Sequence, residues 1–100
     1  MARIAGTYIH CNFRNRNLSN FQLDGVFRDS DFTGAILRNA YLIGDFTNAI
    51  FVNADLTNAN IQGGDFRGAK FFGAIMPNGR PKLRAARSSL GGNLQRKKRR

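Results

Sequence analysis

Residues 54–68 read ADLTNANIQGGDFRG, which is three consecutive five-residue units with a large apolar residue at the centre of each. The large apolar residues that continue this spacing in both directions are Tyr8, Phe13, Leu18, Leu23, Phe27, Phe32, Leu37, Leu42, Phe46, Phe51, Leu56, Ile61, Phe66, Phe71 and Met76. The step is five residues except from Leu23 to Phe27 and from Leu42 to Phe46, where it is four. A helix repeats about every 3.6 residues and a strand about every two, so a fixed period of five indicates a solenoid of stacked repeats.

Each unit has a small residue and a corner residue in addition to its large centre. Two residues before the centre stands a small residue in most units, as at Ala35, Ala54 and Gly64. Side chains two apart in an extended segment point the same way, so the small residue and the centre face inward and the residues flanking the centre face outward. The last slot holds mostly Asn or Gly, which tolerate the left-handed conformations of tight turns. We therefore predict a short extended segment and then a corner in every unit.

The two shortened steps predict how many sides each coil has. They lie nineteen residues apart, which is four units less one residue. Stacking of shortened corners one coil apart requires four sides per coil, and the centres then sort into two aromatic and two aliphatic sides. The predicted core ladder consists of Phe27, Phe46 and Phe66 on side one, Phe32, Phe51 and Phe71 on side two, Leu37 and Leu56 on side three, and Leu42 and Ile61 on side four.

Units such as Ala54–Asn58 (ADLTN) and Gly64–Gly68 (GDFRG) resemble the A-(D/N)-(L/F)-(S/T/R)-x unit of the pentapeptide-repeat family. The resemblance covers roughly residues 6–78, and the ending GAIMPNG is similar to that of many short bacterial members, cyanobacterial ones especially. The resemblance implies an all-β fold, a right-handed four-sided β-helix of nearly four coils. Arg16 and Phe21 occupy inward slots where a small residue belongs, so we expect the first coil to be irregular, flaring open or acting as a cap.

Charge divides the chain into a nearly neutral repeat and a basic tail. The chain carries 16 Lys and Arg and 6 acidic residues, for a formal net charge of +10, and nine of the basic residues but none of the acidic ones follow residue 76. We predict a lead-in over residues 1–5, a β-helix over residues 6–78 and a tail over residues 79–100 that is disordered or ordered by a partner. The tail residues expected to contact an anionic partner are Arg80, Lys82, Arg84, Arg87, Arg96, Lys97, Lys98, Arg99 and Arg100.

No arrangement of residues indicates catalysis, a metal site or a cofactor. Catalysis needs convergent acid, base or nucleophilic groups. The single histidine, His10, occupies a corner slot, the single cysteine, Cys11, occupies an inward slot, and the aspartates fall in outward or corner slots. We therefore expect a non-enzymatic protein without a cofactor. The sequence shows neither a signal peptide nor a membrane-spanning run, which predicts a cytoplasmic protein.

The predicted function is that of a structural adaptor. A rigid coil with flat outer faces and a basic tail suits docking to an acidic protein assembly, and Ile50, Val52 and Phe72 form a candidate apolar docking patch on side two. One alternative is sequence-independent binding of nucleic acid through the tail, where Lys and Arg neutralise phosphates. An anionic membrane surface also suits the tail.

Two further expectations concern gyrase and self-association. Some pentapeptide-repeat proteins resemble duplex DNA and bind DNA gyrase by charge mimicry, which needs a strongly negative shaft. The shaft of this chain is near neutral, so we rank this function last. The final coil, ending at Met76, exposes unpaired strand edges, which predicts a homodimer formed through this end.

Overall fold

The structure, a computed structural model, describes residues 2–82. The chain winds into one continuous solenoid, which we call the coil from here on, and each circuit of it is called a turn. Each unit pairs in parallel with the unit one turn later. The strands are β1 (Arg3–Ile4), β2 (Gln22–Leu23) and β3 (Tyr41–Leu42), which form a parallel sheet in that order. The other units pair through single parallel bridges, as Asn12 does with Asp31. Within this part of the chain, no helix is long and apolar enough to cross a membrane.

The backbone pairing has the four-sided register predicted from the sequence. Paired residues lie nineteen positions apart in the lower turns, as Val26 and Asp45 do, and twenty apart in the last turn, as Asp45 and Asp65 do. The extra residue is Gly63, which fills a corner slot on side four that is absent after Leu23 and Leu42. Four units therefore complete each turn, and their centres form four columns.

Aromatic centres fill two adjacent columns inside the coil. On side one, the ring centroids of Phe27 and Phe46 lie 5.0 Å apart with their planes 7° from parallel. On side two, Phe32 and Phe51 are also 5.0 Å apart, at 6°. The two columns meet edge to face, with Phe27 5.9 Å from Phe32. Each buried ring therefore packs against rings above, below and beside it.

Corner residues adopt the left-handed conformation predicted for them. The non-glycine corners with φ between 58° and 66° are His10, Asn15, Asn20, Asp29, Asn39, Asn48, Asn53 and Asn58. Asn and Asp accept this conformation more readily than other side chains that carry a Cβ. The shortened corners have a different requirement, because a Cβ on Gly44 would overlap the carbonyl oxygen of Gly25 one turn below.

The Asp or Asn before a centre supports the corner that follows it. Oδ1 of Asp45 accepts hydrogen bonds from the backbone N–H of Thr47 at 3.0 Å and from its hydroxyl at 2.6 Å. The same backbone hydrogen bond recurs at Asn12, Asn17, Asp31, Asp55, Asn60 and Asp65. The backbone N–H of the second residue after this Asp or Asn does not take part in the ladder between turns. The Asp or Asn side chain therefore supplies its hydrogen-bond acceptor.

Burial decreases at the last turn of the coil. The predicted ladder residues that are fully buried are Phe27, Phe32, Leu37, Leu42, Phe46, Phe51 and Leu56. The ladder residues Ile61, Phe66 and Phe71 are only partly buried and pack against the core from its end. Within residues 2–82, no later turn covers them.

The coil begins before residue 6, where the sequence analysis places its boundary. β1 pairs with β2, so Ile4 lies one turn below Leu23. The first turn is also regular, contrary to expectation, since the carbonyl of Arg16 accepts the N–H of Ile36 at 2.8 Å as the ladder requires. Arg16 is tolerated in its inward slot because no described residue lies beneath it and its side chain is exposed, while Phe21 is partly buried against the core.

The coil also extends past residue 78, the predicted end of the β-helix. After Met76 the chain reverses and returns along the last turn, which we call the return segment (residues 77–82). The N–H of Met76 donates to the carbonyl of Arg80 at 2.8 Å, and the N–H of Lys82 donates to the carbonyl of Ala74 at 2.7 Å. An uncovered strand edge leaves backbone groups unpaired, and this segment satisfies those of side three.

Candidate docking site at the C-terminal end of the coil

All six aspartates of the coil are engaged by basic side chains. The pairs at 3.0 Å are Arg14 with Asp31, Arg28 with Asp45 and Arg38 with Asp55; those at 2.8 Å are Arg3 with Asp24 and Arg67 with Asp65; and His10 lies 3.8 Å from Asp29. In the three pairs at 3.0 Å the arginine follows one centre and reaches the aspartate before the centre one turn later, so these pairs run diagonally between turns. Five of the six aspartates therefore have an arginine partner, and the shaft does not present a strongly negative surface.

Hydrogen bonds hold the carboxyl groups of Asp31 and Asp45 in the charged form. At Asp45, the hydroxyl and the amide of Thr47 lower the pKa of the carboxyl below its ordinary value, against a smaller opposing effect of burial. At Asp31, burial alone would raise the pKa, but the hydrogen bonds from Thr33 and Arg14 together bring it below the ordinary value. These carboxylates are structural ion-pair partners and are not tuned for proton transfer.

Basic residues without a carboxylate partner among residues 2–82 lie at the ends of the coil. Arg16 is at the start, and Lys70, Arg80 and Lys82 are at the end. The uncompensated charge of the described coil is therefore positive, and most of it lies at the C-terminal end.

A cleft of about 390 Å³ opens at that end, and we call it the C-terminal cleft. Its lining residues are Val52, Ala69, Lys70, Phe71, Phe72 and Lys82. The cleft joins Val52 and Phe72 of the predicted apolar patch to Lys82 of the predicted tail. Ile50, the third residue of the patch, is partly buried on the same side and does not line the cleft, while Phe72 is 53% exposed.

The outer face of side two changes from polar to apolar and basic along its length. The backbone bridges of Ile50 with Asp31 below and with Lys70 above place these three residues in one outer column. The neighbouring column holds Val52 with Phe72 one turn above it, as the predicted register requires. An aspartate with an arginine partner is thus followed, two turns later, by a lysine beside an exposed phenylalanine.

Lys70 is the site residue that the sequence analysis missed, although a signal for it existed. It is the one lysine before residue 77, and it stands in a slot that holds Asp or Asn in about half of the other units from Tyr8 onward and a basic residue in none of them. The four-sided register places it directly above Ile50. The tail residues Arg84, Arg87, Arg96, Lys97, Lys98, Arg99 and Arg100 lie outside the described residues, so their role stays a prediction.

The opposite end of the coil provides an internal comparison. A cleft of about 360 Å³ there is lined by Ile4, Phe13, Arg16, Asn17, Leu18 and Phe21. It has one basic residue instead of two and lies away from the apolar patch. Among residues 2–82 there is no cluster of three or more His, Cys, Asp or Glu side chains that could hold a metal ion.

Comparison with known proteins links the coil to a family. Residues 45–76 match the family model for pentapeptide repeats, in 8 copies. A search of the curated proteins finds no significant match. The fold is similar to that of HetL, a pentapeptide repeat protein involved in heterocyst differentiation regulation from the cyanobacterium Nostoc sp. strain PCC 7120, with a TM-score of 0.54 and 25% sequence identity over 76% of this chain and 43% of HetL. The chain therefore spans less than half the length of HetL.

A second solved structure is Rfr23, a pentapeptide repeat protein from the cyanobacterium Cyanothece 51142, with a TM-score of 0.49 and 19% identity over 68% of this chain and 58% of Rfr23. The likeness to HetL in fold implies that the coil is a right-handed quadrilateral β-helix. Pentapeptide-repeat proteins are generally non-enzymatic structural or protein-interaction proteins. The period of five, the four-sided register and the family match agree, and residues 45–76 of this chain are a run of pentapeptide repeats.

Proposed function

We propose that this protein is a non-enzymatic adaptor that docks an acidic protein partner through the C-terminal cleft. The observation that carries the proposal is that the exposed Phe72 lines one cleft together with Lys70 and Lys82. An acidic partner meets two uncompensated positive charges next to apolar surface there. Charge attraction speeds the encounter, and burial of the aromatic ring holds the complex together.

The apolar lining favours a protein over the alternative partners. Duplex nucleic acid is bound mainly through its phosphates, which makes no use of Val52 or Phe72. Charge mimicry of DNA requires a negative shaft, whereas the aspartates of this shaft are all engaged by Arg or His. A protein partner uses both the lysines and the apolar surface of the cleft.

The test is binding of the full-length chain and two matched variants to the partner that it captures. Phe72→Asp places a negative charge in the cleft, and Ile9→Asp makes the same kind of change at a residue of similar exposure, 51% against 53%, at the far end of the coil. We expect Phe72→Asp to weaken binding at least about tenfold and Ile9→Asp to leave binding unchanged. Added salt should weaken the binding of both the full-length chain and the Ile9→Asp variant. Tight binding of duplex DNA that survives Phe72→Asp, with no protein captured, would overturn the proposal in favour of nucleic acid.

A further inference from the structure

We infer that the C-terminal cleft takes an extended acidic segment of another protein, which adds as a further strand to the open edge of side two. The inference rests on the proposed function and specifies the shape and chemistry of the partner. Addition of a strand to an exposed edge is a general mode of peptide recognition, in which backbone hydrogen bonds supply affinity and alternate side chains supply specificity.

Within residues 2–82, the edge of side two ends in an unpaired backbone donor and acceptor. One turn lower, the N–H of Phe51 donates to the carbonyl of Lys70 at 2.7 Å, and the carbonyl of Ala49 accepts the N–H of Lys70 at 3.0 Å. The equivalent groups of the last turn, the N–H of Phe71 and the carbonyl of Ala69, have no backbone partner within residues 2–82. Their spacing is that of the ladder below, so an added strand can continue it.

The return segment shows that this end of the coil accepts an antiparallel strand. Pro81 forms an antiparallel bridge with Ile75, and the N–H of Lys82 donates to the carbonyl of Ala74. At the corner, the carbonyl of Lys82 accepts the N–H of Gly73 at 2.6 Å. The described chain thus covers side three and stops at Lys82, where side two begins.

The side chains around this edge select an alternating segment. In a strand, successive side chains point to opposite faces. Inward side chains of the added strand would lie over Ala69 and Phe71, which are only partly buried, so apolar residues suit these positions. Outward side chains would lie near Lys70, Phe72 and Lys82, so acidic residues suit those positions.

The backbone of side two offers a further site for a carboxylate. In the second turn, Oδ1 of Asp31 accepts the N–H of Thr33 at 2.9 Å. The equivalent positions of the next two turns hold Ile50 and Lys70, whose side chains have no acceptor oxygen. The N–H groups of Val52 and Phe72 accordingly have no acceptor among residues 2–82. A carboxylate of the partner can take the place of the missing aspartate.

Charge argues against a second copy of this chain as the occupant. Two copies meeting at this end would bring Lys70 and Lys82 of one against the same residues of the other. Like charges brought together in an interface oppose association. The homodimer predicted from the sequence is therefore a competing outcome of the test.

The test uses a fluorescent alternating heptapeptide, Asp-Val-Asp-Val-Asp-Val-Asp, titrated with the full-length protein and followed by anisotropy. Two matched peptides carry N-methyl groups on the backbone, one peptide on its valines and the other on its aspartates. Each methylated peptide keeps its charge but lacks the amide donors along one edge of the strand. We expect the unmethylated peptide to bind and at least one methylated peptide to bind about tenfold more weakly. Lys70→Glu should also weaken binding about tenfold, and Arg16→Glu at the opposite end should not.

Each other outcome contradicts a defined part of the inference. If all three peptides bind equally and Lys70→Glu abolishes this binding, the docking is ionic and involves no strand addition. The proposed function would then stand. No binding at about 1 mM would overturn the inference, while loss of partner capture in Phe72→Asp would still support the adaptor. Binding of the peptide LRAARSSLG, residues 83–91, would make the chain its own occupant. A concentration-dependent dimer that the acidic peptide dissociates would identify a second copy instead.

Discussion

Phe51 and Phe71 occupy the same slot on the same side of the coil, one turn apart, yet only Phe51 is fully buried. Their rings stack at 5.2 Å with planes 6° from parallel. Phe51 also has Phe32 beneath it and an N–H paired with the turn above, whereas Phe71 has neighbours on one face within residues 2–82. The same residue in the same unit therefore stabilises the interior of the coil in one turn and remains accessible to a partner in the next.

The largest expected difference is between Phe51→Ala and Phe71→Ala. Phe51→Ala leaves a cavity enclosed by rings on several sides and should lower the free energy of unfolding by ~3–5 kcal/mol, as should Phe46→Ala on side one. Phe71→Ala should cost less than half as much, because its space is already open to solvent. Denaturant unfolding of the three variants measures these losses. Equal losses for Phe51→Ala and Phe71→Ala would mean that the last turn is covered as fully as those below.

The return segment should make a smaller contribution, confined to the last turn. Lys82→Pro removes the N–H that donates to the carbonyl of Ala74 and should cost about 0.5–1.5 kcal/mol. Lys82→Ala removes the charge but keeps this hydrogen bond, so it serves as the control. Hydrogen exchange should show faster exchange at Met76 in Lys82→Pro, with Phe51 unchanged. A comparable effect of Lys82→Ala would assign the stabilisation to the side chain instead.

The smallest expected effect is the dependence of stability on pH. The pKa of Asp45 is lowered in the folded state by Thr47, so its contribution is fully present above the unfolded value of about 3.9 and is lost as the pH falls through the folded value. Asp45→Asn should therefore flatten the decline of the unfolding free energy in acid. Asp65→Asn, in the last turn, should change this decline less, because its partner Arg67 is 81% exposed. Identical profiles for Asp45→Asn and the parent chain would contradict this role of Asp45.

The register could be predicted because each unit repeats the same local pattern, so ambiguity in one unit is resolved by its neighbours. The same reasoning could have reached Ile4, which precedes Tyr8 by four residues, the length of the other shortened steps. Ala2 also stands two residues before Ile4, where a small residue is expected. The unit centred on Ile4 is hard to recognise because a four-residue step separates it from Tyr8 and no earlier unit continues the pattern.

Features that depend on contacts between turns could not be predicted from the period alone. The pair of Arg38 with Asp55 joins residues seventeen positions apart, a spacing that acquires meaning only after the turn length is known. The return segment lacks the repeat, and its antiparallel pairing with Ala74 depends on the edge it meets. The C-terminal cleft combines Lys82 of this segment with Val52 and Phe72 of the repeat, so the sequence indicated its parts but not their assembly.

The four-sided turn also determines how the coil can change in length. Insertion of one whole turn would move the C-terminal cleft along the axis by ~4.8 Å, the distance between paired strands, and leave its direction unchanged. Insertion of a single five-residue unit would instead rotate everything above it by a quarter turn. Inserted between Val52 and Phe72, such a unit would turn Phe72 away from Val52 and so separate two residues that line the cleft. Lengthening of this coil by whole turns therefore preserves the site, and lengthening by single units takes it apart.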